Sequence, residues 1–241
     1  MLTAILADIH ANLEAFQAVI ADLEGRPIDS VLGLGDLIGY GPDPDEVVSL
    51  FRRKGYISVQ GNHEAALSDR KMRSWLNFQA RENSIITEQL LSPENRAYCR
   101  ALPENMTTAG ALFVHGFPPS SLLRYLTMAS DNDLQSYLHE ADTPLCFVGH
   151  AHVLAAVTWD GQTLTHDILT AGHYQLSDTT QYLINAGSVG QPRDGTSSAK
   201  YLLWDSLKNR LEIVCVDYDI GTTVAKIEKR GFPEAYGLRL W

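Results

Sequence analysis

Short apolar runs that stop at an acid, an amide or a histidine recur along this chain, and that recurrence limits its fold more than any other feature. Residues 3–7 run into Asp8-Ile9-His10, residues 31–34 into Gly35-Asp36, and residues 57–60 into Gly61-Asn62-His63. Further on, residues 109–114 stop at His115, and residues 145–148 at Gly149-His150-Ala151-His152. Apolar runs bounded in this way predict buried strands. Between the first two, residues 11–24 place Leu13, Phe16, Val19, Ile20 and Leu23 at helical spacing behind Asn12, a suitable cap. Pro42, Pro44 and the acids Asp43, Asp45 and Glu46 open a second helix that runs through Phe51. Strand–loop–helix units in this order predict a parallel sheet covered on both faces.

The middle of the chain changes character. Residues 71–100 read as helical and polar, with Trp75, Phe78, Ile85, Ile86, Leu90 and Leu91 as apolar members. These are expected to pack as a helical pair on the body, with a cap or a dimer surface as the alternative. Strand-like runs return at 155–158, 163–169, 182–185, 200–204 and 210–216, with short connections that suggest antiparallel pairing. A last helix over 220–229 turns Val224 and Ile227 inward. No repeat or linker divides the chain, so residues 1–241 are expected to form one domain with a helical insertion at about 70–100.

In open α/β sheets, ligands bind at the carboxyl ends of the strands, so the five strand ends would meet on one rim. Residues i and i+2 of an extended segment point the same way, which pairs Asp8 with His10 and His150 with His152. Two aspartates, one asparagine and four or five histidines mix hard oxygen with borderline nitrogen. That mixture suits manganese, iron, zinc, cobalt or nickel better than magnesium or calcium. Seven ligands exceed one tetrahedral centre and suit two ions about 3.5–4 Å apart, an arrangement that hydrolyses phosphate esters. Taken singly, Asp8 and Asp36 also suit helix caps and Asn62 a turn. His139, His166 and His173 fall outside these runs and stay unassigned.

The set Asp8-x-His10, Gly35-Asp36, Gly61-Asn62-His63-Glu64, His115-Gly116 and Gly149-His150-x-His152 resembles, in order and kind, the motifs of the calcineurin-like metallophosphoesterase superfamily. Residues 35–42 and 185–195 look like signatures of its small bacterial and archaeal phosphodiesterase-type members. The chain departs from that pattern at Phe117 and Ala186, and at no ligand position. The resemblance implies an α/β fold, a four-layer αββα sandwich of two mixed β-sheets. It implies two divalent ions, one held by Asp8, His10 and His152, the other by Asn62, His115 and His150, with Asp36 between them. It further implies hydrolysis of a small phosphate ester or diester, a nucleotide or dinucleoside polyphosphate among them, by in-line attack of a metal-bridging hydroxide. His63 would serve the leaving oxygen. Tyr40, Phe117, Arg124, Tyr125 and Arg193 adjoin motif residues and are candidates to line a substrate pocket. A non-catalytic scaffold of the same fold is the competing class; such scaffolds typically lose an acid or histidine from the set.

Charge bears on the partner. With 19 Lys+Arg against 29 Asp+Glu the net charge is −10, and no long basic run exists to bind a nucleic-acid backbone. A small phosphorylated substrate needs only the rim, which two dications would turn from negative to positive. Three scattered cysteines suggest neither a disulfide framework nor a zinc knot. The beginning of the chain lacks the pattern of a signal peptide, and no run is long enough for a membrane span. A cytoplasmic protein without a membrane partner is therefore expected, and a homo-oligomer is left open.

Overall fold

The first strand divides its side chains between two cores. The computed structural model describes every residue except Asn77, and in it β1 (Leu2–Leu6) sends Ala4 and Leu6 to one side. There they meet Phe16, Val19 and Leu23 of α1 (Leu13–Glu24), together with Val47, Val48 and Phe51 of a later helix. Ile5 and Ala7 point the other way, into a cluster with Phe113, Phe147, Leu202 and Trp204. Both faces are apolar because a strand alternates its side chains and here each face has a partner layer. The Asn12 side chain accepts from Ala15 N at 3.1 Å, capping α1 as its sequence suggests.

The chain continues through β2 (Ser30–Gly33), α2 (Pro44–Arg53), β3 (Ile57–Ser58) and α3 (Asn62–Ala65). Helices α4 (Arg70–Trp75), α5 (Phe78–Leu90) and α6 (Pro93–Arg100) follow, then β4 (Asn105–Thr108) and β5 (Ala111–Val114). After α7 (Asp131–Glu140) come β6 (Leu145–Val148), β7 (Leu154–Trp159), β8 (Leu164–Ile168) and β9 (Gly172–Gln175). The last elements are β10 (Gln181–Ala186), β11 (Ala199–Asp205), β12 (Arg210–Val216), α8 (Ile220–Lys229) and α9 (Glu234–Leu238).

The strands form two six-stranded sheets, in the orders β3-β2-β1-β11-β12-β9 and β4-β5-β6-β10-β7-β8. The expected parallel sheet of the first 65 residues is only half of a sheet. β1, β2 and β3 are parallel, but β1 also pairs antiparallel with β11, Leu2 standing opposite Asp205. The expected antiparallel second half is also mixed, because β5, β6 and β10 are parallel neighbours. Helices α1 and α2 cover one outer face. On the other, Leu134 and Leu138 of α7 pack on Val114, Val148, Val157 and Leu183. The four layers are those of an αββα sandwich, with the sheet-to-sheet core between Ile5, Leu32, Phe113, Phe147 and Trp204.

In the 70–100 region the inward face differs from expectation. Trp75, Phe78 and Ile85 are exposed, whereas Ala80, Asn83, Ser84 and Thr87 are buried. Small and polar residues pack there because Asn83 Oδ1 accepts the Tyr40 backbone N–H at 2.7 Å, a bond no apolar side chain could make.

Candidate metal centre

The parallel strands β1, β2, β3, β5 and β6 all release the chain on one rim, and β1, β2 and β6 do so through left-handed turns. Among the described residues, nine non-glycine positions have positive φ, and seven belong to this rim: Asp8, His10, Ala11, Asp36, Tyr40, His150 and His152. Left-handed backbone is costly for residues with a Cβ and persists where surrounding structure enforces it. It also corrects the expected geometry of the pairs. Asp8 with His10, and His150 with His152, are themselves left-handed, so each pair converges through a turn and not through extended alternation. Gly61 is required for another reason, since a Cβ there would collide with the Asp36 side chain.

Eight polar side chains gather at this rim, all buried: Asp8, His10, Asp36, Asn62, His63, His115, His150 and His152. Four of the histidines turn one ring nitrogen to a backbone carbonyl. His10 Nδ1 lies 3.1 Å from Ile38 O, His115 Nδ1 2.8 Å from Leu34 O, His152 Nδ1 2.6 Å from Gln191 O and His150 Nε2 3.3 Å from Leu123 O. A carbonyl only accepts, so each of those nitrogens carries the hydrogen and the opposite nitrogen of a neutral ring is a bare lone pair. Those bare nitrogens face one another. His10 Nε2 stands 3.0 Å from His152 Nε2, and His115 Nε2 stands 3.1 Å from His150 Nδ1.

Oxygens complete two groups. Asp8 Oδ1 lies 3.3 Å from His152 Nε2 and 3.6 Å from His10 Nε2, and has no hydrogen-bond partner. Asn62 Oδ1 lies 2.9 Å from His115 Nε2, and Asp36 Oδ2 stands 3.4 Å from His115 Nε2 and 3.7 Å from His10 Nε2. Asp36 thus touches both groups. Ligands bonded at about 2.0–2.2 Å to one cation are separated by about 3.0–3.5 Å from each other, and the donor set here has that spacing. Converging lone pairs without protons need a positive charge at their centre, so the residues fit divalent ions. With no cation, the cluster draws a proton: burial opposes charge on His115, yet the Asp36 carboxylate raises it to about 9. Burial, with the charge on His115, pushes His150 down to about 3, and burial likewise lowers His63. Burial alone would raise Asp36, but the surrounding histidines, His115 foremost, hold it well below the usual carboxylate range.

Two supporting residues carry no sequence assignment. The fully buried Glu64 accepts the backbone N–H groups of Asp36 at 2.9 Å, Ile38 at 3.2 Å and Gly61 at 2.9 Å. It ties the Asp36 turn to the Asn62 turn. Its place in the Gly61-Asn62-His63-Glu64 string was the available signal. Lys200, also buried, pairs with Asp194 at 3.1 Å and braces the loop in which Gln191 O meets His152 and Arg193 N donates to His152 O at 3.0 Å.

Above the cluster opens a cavity of about 200 Å³. Asp36, Asn62, His63, His150 and His152 form its floor, and Tyr40, Tyr125 and Arg193 its walls, with Trp75, Leu76 and Ala80 contributed by the helical region. Tyr125 stacks on His150, with ring centroids 4.0 Å apart. Phe117 and Arg124 do not reach the cavity. Phe117, two residues after His115, packs in the cluster beneath α7, and Arg124 lies over its ring while pairing with Asp133. His166 and His173 lie at the surface beside Asp131 and Glu212, away from the rim.

Comparison with known proteins follows this geometry. The family described as "Calcineurin-like phosphoesterase superfamily domain" matches residues 1–208. An uncharacterized protein of Methanocaldococcus jannaschii is 35% identical over 243 residues, covering 99% of this chain and 96% of that protein. The crystal structure of a metallophosphoesterase from Sphaerobacter thermophilus superposes with a TM-score of 0.85 at 35% identity, covering 100% of this chain and 98% of the other. A hypothetical protein from Pyrococcus horikoshii shares the fold, with a TM-score of 0.79, 20% identity and coverage of 100% and 97%. No helix among the described residues is long and apolar enough to cross a membrane.

Proposed function

The chain belongs to the calcineurin-like phosphoesterase superfamily, and from that membership we propose that it is a metal-dependent hydrolase of small phosphate esters or diesters. The observation that carries the reading is the pair of lone-pair clusters joined by Asp36 beneath one cavity. Asp8, His10 and His152 would hold one divalent ion and Asn62, His115 and His150 the other, with Asp36 between them. Ions held there acidify water and offset the charge on phosphoryl oxygens.

The remaining work falls to the chain. Carbonyls of Leu34, Ile38, Leu123 and Gln191 keep the four histidines in one tautomer and orientation. His63 lies on the cavity floor beside Asp36, where its ring would donate a hydrogen bond to, or protonate, the leaving oxygen. Its backbone N–H donates to Asp36 Oδ1 at 3.0 Å, fixing its place beside that carboxylate. Arg193 on the cavity wall would meet the anionic oxygens of a bound phosphate.

The test is a hydrolysis screen of the manganese-loaded protein across phosphomonoesters, phosphodiesters and dinucleoside polyphosphates, with bound metal measured in parallel. Turnover of at least one class is expected. His63→Ala should lower it by about 10²–10⁴-fold, the range for loss of a proton-transfer group, while circular dichroism stays that of the fold. Two ions bound with no turnover of any class would sink the reading.

A further inference from the structure

Next to the cavity over the metal cluster lies a second cleft of about 470 Å³, and the two share Tyr40, Tyr125 and Arg193 as a common wall. We propose that this cleft is a second subsite, resting on the phosphoesterase reading above. Through Arg193, Arg239 and Trp241 it takes a further phosphate and a planar ring, so that the chain selects a nucleoside polyphosphate over a simple phosphate ester.

Size gives the first argument. The cavity over the cluster, at about 200 Å³, falls below the roughly 300–1,000 Å³ of small-molecule sites and suits a phosphoryl group alone. The adjoining cleft supplies the volume that a larger leaving group needs. Charge gives the second. In a chain of net charge −10, no acidic side chain lines this cleft, while two arginines do. Among the described residues neither of them forms an ion pair; the Arg193 guanidinium donates to the neutral Gln191 Oε1, at 2.8 Å, and lies over the Tyr40 ring. A guanidinium fork left unpaired matches the oxygens of a phosphate two at a time.

The aromatic lining gives the third. Trp241 is 72% exposed at the cleft, a large flat surface beside cations, suited to stacking a planar ring. Both sides of the cleft are tied to the cluster. Arg193 follows the loop that holds His152, and the helix preceding Arg239 is seated through Tyr236, edge-on to Tyr40 at 5.2 Å. The scissile phosphorus therefore sits over Asp36 and His63, the next phosphate at Arg193, and the ring toward Arg239 and Trp241. In hydrolysis the oxygen of one water joins the scissile phosphorus, the phosphoanhydride P–O bond breaks, and a proton passes to solvent. The leaving phosphate departs as an anion facing Arg193.

The experiment measures binding and turnover separately on the full, manganese-loaded chain. By calorimetry, ADP should bind at least about tenfold more tightly than inorganic phosphate, and Arg239→Ala should remove about tenfold of that affinity, the worth of one charged hydrogen bond. Trp241→Ala should weaken ADP similarly, and Trp241→Phe should restore part of it. Both side chains are exposed, so the variants should fold, which circular dichroism checks. In turnover, the ratio of kcat/KM for a nucleoside polyphosphate over bis(p-nitrophenyl) phosphate should fall by about tenfold in Arg239→Ala. ADP bound no more tightly than phosphate, or equally by wild type and Arg239→Ala, overturns the subsite. An equal loss on both substrates also overturns it. If the binding pattern appears but no ester is hydrolysed, the hydrolase reading fails and the subsite stands.

Discussion

Three backbone amides, those of Asp36, Ile38 and Gly61, end on the carboxylate of Glu64, a side chain with no exposure to solvent. Glu64→Ala would leave these buried donors without acceptors, each at about 1–3 kcal/mol. A fall in Tm of many degrees is expected in thermal denaturation, with metal affinity lowered because the Asp36 turn loosens. Glu64→Gln keeps one acceptor oxygen but turns an NH₂ toward an N–H group, so its Tm should lie between those of wild type and Glu64→Ala. At this scale the sequence names the rim residues plainly, because Asp8, His10, Asp36, Asn62, His115, His150 and His152 each follow an apolar run. It does not name the partner of Glu64, whose bonds reach 26 and 28 residues back to Ile38 and Asp36. Nor does it announce the left-handed backbone of Asp8 and His150, since that conformation is uncommon for any residue with a Cβ and is imposed here by packing.

Helix α6 is fastened to α2 through Asp45, Ser49 and Arg52. Asp45 Oδ1 accepts from Ser92 N and from Asn95 Nδ2, both at 2.7 Å. Burial works to raise the Asp45 pKa, but the Ser92 and Asn95 donors outweigh it and lower the carboxyl below its ordinary value. A carboxyl depressed in the folded state adds stability above its unfolded pKa of about 3.9, and loses that contribution as pH falls through the folded value. The stability advantage of wild type over Asp45→Ala should thus be level from neutral pH down to about 5 and shrink only below about 4, as read from urea midpoints. Strongly periodic elements such as α1, β6, β12 and α8 are legible in sequence. β4 and β9 are not, since their residues alternate only between partly exposed and exposed at sheet edges. α7 offers few apolar residues, although Ser130 and Asp133 form the capping box that marks its start.

For the molecule as a whole, bound ions should count as part of the fold. Chelation would leave the histidine and aspartate lone pairs facing each other, so the metal-free protein should melt at a lower temperature. An ion present at about 100 times its Kd contributes about 2.7 kcal/mol, and re-adding manganese should restore the Tm in a thermal shift assay. A Tm indifferent to chelator would argue against any ion in the cluster. Layer order follows from the family resemblance that the motif set carries, but the partition of strands between sheets is not legible, because apolar runs do not say which run they pair with. β11 is the clearest instance. It lies against β1 across almost the full length of the chain, Leu2 opposite Asp205 and Ile5 opposite Leu202. During synthesis, then, the strand that launches Asp8 and His10 must wait, its far edge unpaired, until about 200 residues later its neighbour has left the ribosome, so assembly of the rim is a late event and the nascent half-sheet is the species most in need of chaperone protection.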